Sequence, residues 1–190
     1  AKAFAAQDYA TALVDLNEAG GNETASMIHQ AGGECFFVKC NTADDDSVRN
    51  AVEETVKRYG RLDAAFNAAG IDGATGTMTG DTSVEDWRRV IDINLNGVWL
   101  CMRHQITQML KNGGGAIVNC SSTAGIRGAA YFGAYCAAKH GVVGMTKAAG
   151  LEYCSKGVRI NAVCPGMIDT PMTNSEEIKE LIEQMAKASP

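Results

Sequence analysis

Apolar residues along the chain fall into short runs, separated by longer segments in which they recur with a helical period. The short runs lie at 9–16 (YATALVDL), 34–40 (ECFFVKC), 62–67, 116–120 (AIVNC) and 158–163. They carry no polar face, which is the pattern of strands buried on both sides. The segments at 18–31, 47–59, 83 to 109 or 111, and 134–155 read as helices. Gly32-Gly33 closes the first, Gly60 the second and Gly113-Gly114-Gly115 the third, since glycine ends helices at little steric cost. Ser83-Val84-Glu85-Asp86 reads as a capping box opening the third helix, which is expected to bend along its length. Residues 1–7 read as the last turns of a helix, 41–46 as a polar loop, 71–82 as a Gly- and Thr-rich loop, and 175–188 as a last helix. Strands alternating with helices predict an α/β fold, a doubly wound parallel sheet covered by helices on both sides. With no repeat, low-complexity tract or linker, residues 1–190 are expected to form a single domain.

Composition narrows the class without changing this picture. Hydrophobic residues make up 46% and charged residues 21% of 190, ordinary for a globular chain long enough to bury a core. A net charge of -5 argues against nucleic acid as a partner. No apolar run approaches the ~20 residues of a membrane helix, and no signal-peptide pattern is visible, so a cytoplasmic location is expected. The seven cysteines are scattered from Cys35 to Cys164 without a C-x-x-C pair and read as reduced thiols packed as small hydrophobes. His29, His104 and His140 show no ligand spacing, so no metal is expected.

Candidate chemistry gathers at the strand ends. In parallel sheets of this kind ligands bind beyond the carboxyl ends of the strands, where Asp15, Asn41, Asn67, Ser122 and Pro165 fall. Tyr135 and Lys139 stand at i and i+4, on one helix face. A free tyrosine loses its proton near pH ~10. A neighbouring ammonium is expected to lower that value and make Tyr135 usable as an acid or base. Ser122 can donate a hydrogen bond to the oxygen that Tyr135 protonates or deprotonates. Alone, Tyr-x-x-x-Lys is a weak signal, and a Ser-Ser pair such as Ser121-Ser122 at a strand end is more often turn chemistry than catalysis.

The whole arrangement resembles the short-chain dehydrogenase/reductase family, which carries a Ser thirteen residues before a Tyr-x-x-x-Lys; Ser122 stands at that distance from Tyr135. The resemblance covers nearly all of the chain. It implies a Rossmann-type fold and an NAD-dependent oxidoreductase interconverting an alcohol and a ketone. It implies Tyr135 as general acid/base, Lys139 tuning it and binding ribose, and Ser122 orienting the substrate oxygen. Asn94 corresponds to the family's helix Asn, whose carbonyl holds a relay water, although Asn96 stands close by. Asp15 corresponds to an acid that binds the adenosine ribose and goes with NAD; in isolation it reads as a turn residue before Asn17, and the other sites favour the ribose role.

Further correspondences are cofactor contacts. Asn67-Ala68-Ala69-Gly70 stands where the family commonly has Asn-Asn-Ala-Gly, with Ala68 replacing the second Asn. Asn41-Thr42 stands beside the expected adenine, where an Asp and a Val are usual, and Asp63 matches an Asp before the strand. Pro165-Gly166 with Ile168 and Thr170 resembles the segment that hydrogen-bonds the nicotinamide carboxamide. Arg127, Tyr131, Phe132 and Met167 are candidates for the substrate pocket. The resemblance also implies a homotetramer formed through the helices near 98–112 and 134–155.

The family's opening strand and Gly-rich phosphate motif are not in this sequence, nor is its closing strand and helix. The chain is therefore expected to be truncated at both ends, with a gap in mid-sheet, an uncovered edge at 158–163 and no activity as written. The competing reading is a non-catalytic fragment or assembly subunit of the same fold that has lost cofactor binding. A serine hydrolase using Ser122 is disfavoured by the absence of a G-x-S-x-G elbow.

Overall fold

The structure is a computed structural model that describes residues 1–170. The helix expected at 175–188 lies outside the described residues. In chain order the elements are α1 (Lys2–Ala5), β1 (Thr11–Asp15), α2 (Glu18–Gln30), β2 (Cys35–Lys39), α3 (Asp45–Tyr59), β3 (Ala64–Asn67), α4 (Val84–Ile91), α5 (Gly97–Lys111), β4 (Gly115–Cys120), α6 (Gly133–Tyr153) and β5 (Val158–Val163). Short 3-10 turns lie at Thr123–Gly125 and Cys154–Lys156, and a π-helical turn at Asp92–Asn96 joins α4 to α5. The expected strands and long helices are present, each within a few residues of its predicted bounds. Only one turn, α1, forms in the first seven residues.

Local chemistry sets the helix ends. Asn17 Oδ1 accepts from Gly20 N at 3.1 Å and Asp44 Oδ1 from Ser47 N at 2.7 Å, so α2 and α3 are capped at their N-termini. Gly60 ends α3 at φ 79°, a left-handed conformation that favours glycine. At α4, Ser83 Oγ accepts from Asp86 N at 3.0 Å. The reciprocal half of the expected capping box is not made. Asp86 instead accepts from Ala74 N at 2.8 Å and from Arg89 at 2.7 Å, tying the 71–82 loop to α4.

Among the described residues all strand pairs are parallel, and they form two sheets: β1 with β2, and β3-β4-β5 with β4 in the middle. The expected mid-sheet gap is therefore present. A cavity of about 650 Å³ lies there, lined by β1, by β3, and by Gly97, Val98, Cys101 and Gln105 of α5. β5 has no strand on its outer side among the described residues.

Each sheet has its own core. Met102, Ile106 and Met109 of α5 and Ala149 of α6 pack on Ile117, Val158 and Ile160. Leu13 and Cys35 pack on Ala25 and Ile28 of α2 and Ala5 of α1. A smaller cluster of Cys40, Val48, Ala51 and Leu100 joins α3 to α5 and so links the two halves. Asp45 reinforces this link, meeting His104 at 2.8 Å and Arg103 at 3.3 Å.

Candidate active site

The end of β4 is locked to α6 before any reactive group appears. Ser121, 3% exposed, donates from Oγ to Lys139 O at 2.8 Å. A Cβ on Gly125 would come within 2.6 Å of Lys139 O and 2.3 Å of Ser121 Oγ, so only glycine lets the turn after β4 lie this close to α6. Ser122 is extended and accepts from Ala124 N at 3.1 Å, opening the 3-10 turn. Thr123 N donates to Pro165 O at 2.8 Å, joining this loop to the segment after β5.

Tyr135 and Lys139 project from the first two turns of α6 towards this strand end. Lys139 is 3% exposed, and its Nζ donates to Cys120 O at 2.9 Å and lies 5.4 Å from the Tyr135 ring centroid. Burial lowers the Lys139 pKa, opposed by Cys120 and Asp72. Burial raises the Tyr135 pKa above the usual tyrosine value. A side-chain hydrogen bond with Ser122 pulls it down, and Asp72, Cys120 and Cys136 push it further up. This corrects the expectation that Lys139 depresses Tyr135. The ammonium is engaged by Cys120 O and sits over the ring face, and burial of the phenol dominates.

Asn94 is fully buried in the π-helical turn. Its Oδ1 accepts from Ile71 N at 2.8 Å and its Nδ2 donates to Ile71 O at 2.7 Å, so the side chain clasps the backbone after β3. A Cβ on Gly70 would stand 3.1 Å from Asn94 Oδ1 and 3.5 Å from Lys139 Nζ. Gly70 is thus the point where the loop after β3 meets both groups. Asn94, Ser122, Tyr135 and Lys139 come together around the carboxyl ends of β3 and β4.

The groups expected at the cofactor are distributed around this cluster. Asp15, Thr42, Asn67, Ala68 and Ala69 line the mid-sheet cavity. The cavity does not include Ser122, Tyr135 or Lys139; it runs up to Ala69, next to Gly70, where a Cβ would stand 3.5 Å from Lys139 Nζ. Asp15 Oδ1 accepts from Asn17 N at 2.9 Å, and Asp15 is otherwise exposed. Asn41 does not line the cavity; its Oδ1 accepts from Ala43 N at 3.1 Å, which makes it a turn residue. The Asn67 side chain faces the interior. It donates to Gln105 Oε1 and Asn119 Oδ1, both at 2.9 Å, and accepts from Gln105 Nε2 at 2.7 Å. Both of its donors are used, which leaves the backbone of 67–69 to face the cavity. Gly166 and Ile168 are exposed, and Pro165 and Thr170 are half-buried.

Three contributors escaped the sequence reading. Asn119, fully buried, donates to Thr146 Oγ1 at 2.9 Å and holds Asn67, and Gln105 completes that network. Asp72 is the third, acting electrostatically on both Tyr135 and Lys139. Its only sequence signal is an acid two positions past Gly70.

A family model described as short chain dehydrogenase matches residues 1–181. A cyclohexanol dehydrogenase of Acinetobacter sp. (strain SE19) is 43% identical over 180 residues, covering 95% of this chain and 71% of that protein. A 3beta-hydroxysteroid dehydrogenase of Mediterraneibacter gnavus is 41% identical over 185 residues, covering 96% of this chain and 66% of that protein. Among solved structures, an actinorhodin polyketide ketoreductase variant with NADPH superposes with a TM-score of 0.88 at 33% identity, covering 99% of this chain and 70% of that one. The chain thus spans roughly two thirds of the length of the proteins it matches.

Proposed function

Because the chain belongs to the short-chain dehydrogenase/reductase family, we propose that the protein carrying it interconverts a secondary alcohol and a ketone, with NAD as hydride carrier and Tyr135 as general acid/base. The observation that carries this reading is the convergence of Ser122, Tyr135, Lys139 and the Asn94-clasped loop at the ends of two adjacent parallel strands. The named activities of the relatives, dehydrogenases of cyclohexanol and of a hydroxysteroid, support a cyclic secondary alcohol as substrate.

The residues present fit a nicotinamide dinucleotide. The lining of the cavity between β1 and β3 includes the small residues Ala68, Ala69 and Gly97, which allow close approach of a ribose or flat ring. Asp15 lines it with one carboxylate oxygen unengaged by Asn17, able to accept from ribose hydroxyls. When bound, the cofactor supplies the hydride or accepts it. The chain's own residues handle the proton. In reduction, Tyr135 gives its phenolic proton to the developing alkoxide, and the raised Tyr135 value keeps that proton in place beforehand. Ser122, at the end of β4 beside Tyr135, is assigned to donate to the same substrate oxygen. In oxidation the proton returns from the alcohol to the phenolate.

Tyr135→Phe removes the transferable proton and keeps the ring. Turnover of a cyclic secondary alcohol is expected to fall by roughly 10²–10⁴-fold, while cofactor affinity measured by fluorescence titration stays near that of the parent. Lys139→Ala is expected to weaken both. Substantial turnover in Tyr135→Phe contradicts the assigned role.

A further inference from the structure

Among the described residues α6 starts at Phe132 without a side-chain cap, although helix starts are commonly fixed by one. The segment leading into it is a tight turn. Phe132 N donates to Ala129 O at 3.3 Å, and Tyr131, the third residue of the turn, sits at φ 68°. A turn with its third residue in the left-handed region ordinarily takes Gly or Asn there. A bulky residue in that region is strained, and such strain persists only where the surroundings over-determine the backbone.

Cys136 supplies that constraint. From the first turn of α6 its Sγ accepts from Ala129 N at 3.3 Å and donates to Ala129 O at 3.7 Å. A thiol is a weak donor and a weak acceptor, and here both capacities are spent on one residue. Cys136 N also donates to Phe132 O at 2.8 Å. The side chain of Cys136 therefore holds the first residue of the turn, and its main chain holds the last. On the other side, a Cβ on Gly133 would come within 2.8 Å of Thr79 Oγ1, so the end of the turn lies against the 71–82 loop. Ile126, Arg127 and Gly128, just before the clamp, are exposed. Phe132, just after it, is half-buried, with its ring centroid 6.3 Å from that of Tyr135 and the rings inclined at 66°. Such an edge-on contact is one of the preferred aromatic arrangements.

We infer that Cys136 is a positioning residue: its clamp on Ala129 fixes the turn that sets the Phe132 ring beside Tyr135, as a wall for the apolar body of a cyclic secondary alcohol. The thiol itself takes no part in proton or hydride transfer. The inference deepens the proposed function and rests on Tyr135 being the group that meets the substrate.

The test compares the protein carrying this sequence with three variants. Cys136→Ala removes both hydrogen bonds, Cys136→Val fills similar space without donor or acceptor, and Cys136→Ser keeps both. Two readouts need no turnover. Hydrogen exchange followed by mass spectrometry is expected to quicken across 126–133 in the Ala and Val variants and to stay near the parent in the Ser variant. The 13C ring signal of Tyr135, assigned by its loss in Tyr135→Phe, is expected to move in Phe132→Leu. It is expected to move in the same sense in Cys136→Ala and Cys136→Val, and to stay in place in Cys136→Ser. In turnover of a cyclic secondary alcohol, the Ala and Val variants are expected to raise KM severalfold and to change kcat less, with cofactor affinity unchanged. Parent-like exchange and ring signal in Cys136→Ala, a Val variant that matches the parent, a Ser variant that matches the Ala variant, or an unchanged KM each overturn the inference. If Tyr135→Phe remains an active catalyst, the proposed function fails instead, while the exchange and ring signals still decide whether the clamp exists.

Discussion

Tyr135 and Lys139 were legible as a pair because an i, i+4 spacing on a helix admits one relative placement. Their ionisation was not legible, because it depends on how deeply the pair is buried and on Asp72, which approaches from a separate loop. Asn67 shows the same limit. It falls at a strand end as expected, but its side chain is taken by Gln105 and Asn119, which are 38 and 52 residues away in sequence. No local pattern announces such a network. Asp15 is the opposite case, an acid at the end of β1 with its position set by the strand and its local contact, Asn17, two residues on. A carboxylate there accepts from ribose hydroxyls and repels a 2′-phosphate. The protein carrying this sequence is therefore expected to bind NAD more tightly than NADP, and Asp15→Ala to erode that preference. Fluorescence titrations giving equal affinities in the unsubstituted protein contradict this assignment.

At the scale of elements, the long apolar segment after Ser83 resolves into α4, a π-helical turn and α5. Hydrophobic periodicity locates such a segment but cannot register a single widened turn within it. π-helical turns occur often at functional sites, and this one places Asn94 against Ile71 with no exposure to solvent. Asn94 thereby does for the loop after β3 what a further strand residue would do: it satisfies a backbone N–H and a C=O. In Asn94→Ala both groups lose their partner. A buried unpaired polar group costs ~1–3 kcal/mol, so a drop in the denaturant midpoint of unfolding is expected, together with a loosened 70–74 loop and reduced turnover. An unchanged midpoint would show that the clasp contributes nothing to stability. The strands themselves were read within a few residues because buried parallel strands are continuous apolar runs, whereas the Gly- and Thr-rich 71–82 loop carries no periodicity and hid Asp72.

For the whole molecule, alternation of strands and helices was enough to give the parallel α/β class, and the comparisons agree. Among the described residues, the division into β1-β2 and β3-β4-β5 leaves the facing edges of β1 and β3 without strand partners, with the cavity between them. The halves are connected through α3 and α5, with Asp45 and His104 at the contact. This arrangement sets Asp15 and Thr42 on one side of the cavity and Asn67 to Ala69 on the other, with Lys139 just past Gly70. The measurement that tests this account most directly is transfer of deuterium from a cyclic secondary alcohol labelled at its carbinol carbon, using the protein that carries this sequence. Deuterium is predicted on the nicotinamide ring of NAD, with transfer reduced by roughly 10²–10⁴-fold in Tyr135→Phe. Absence of label on bound cofactor across such alcohols, or undiminished transfer in Tyr135→Phe, would contradict the account.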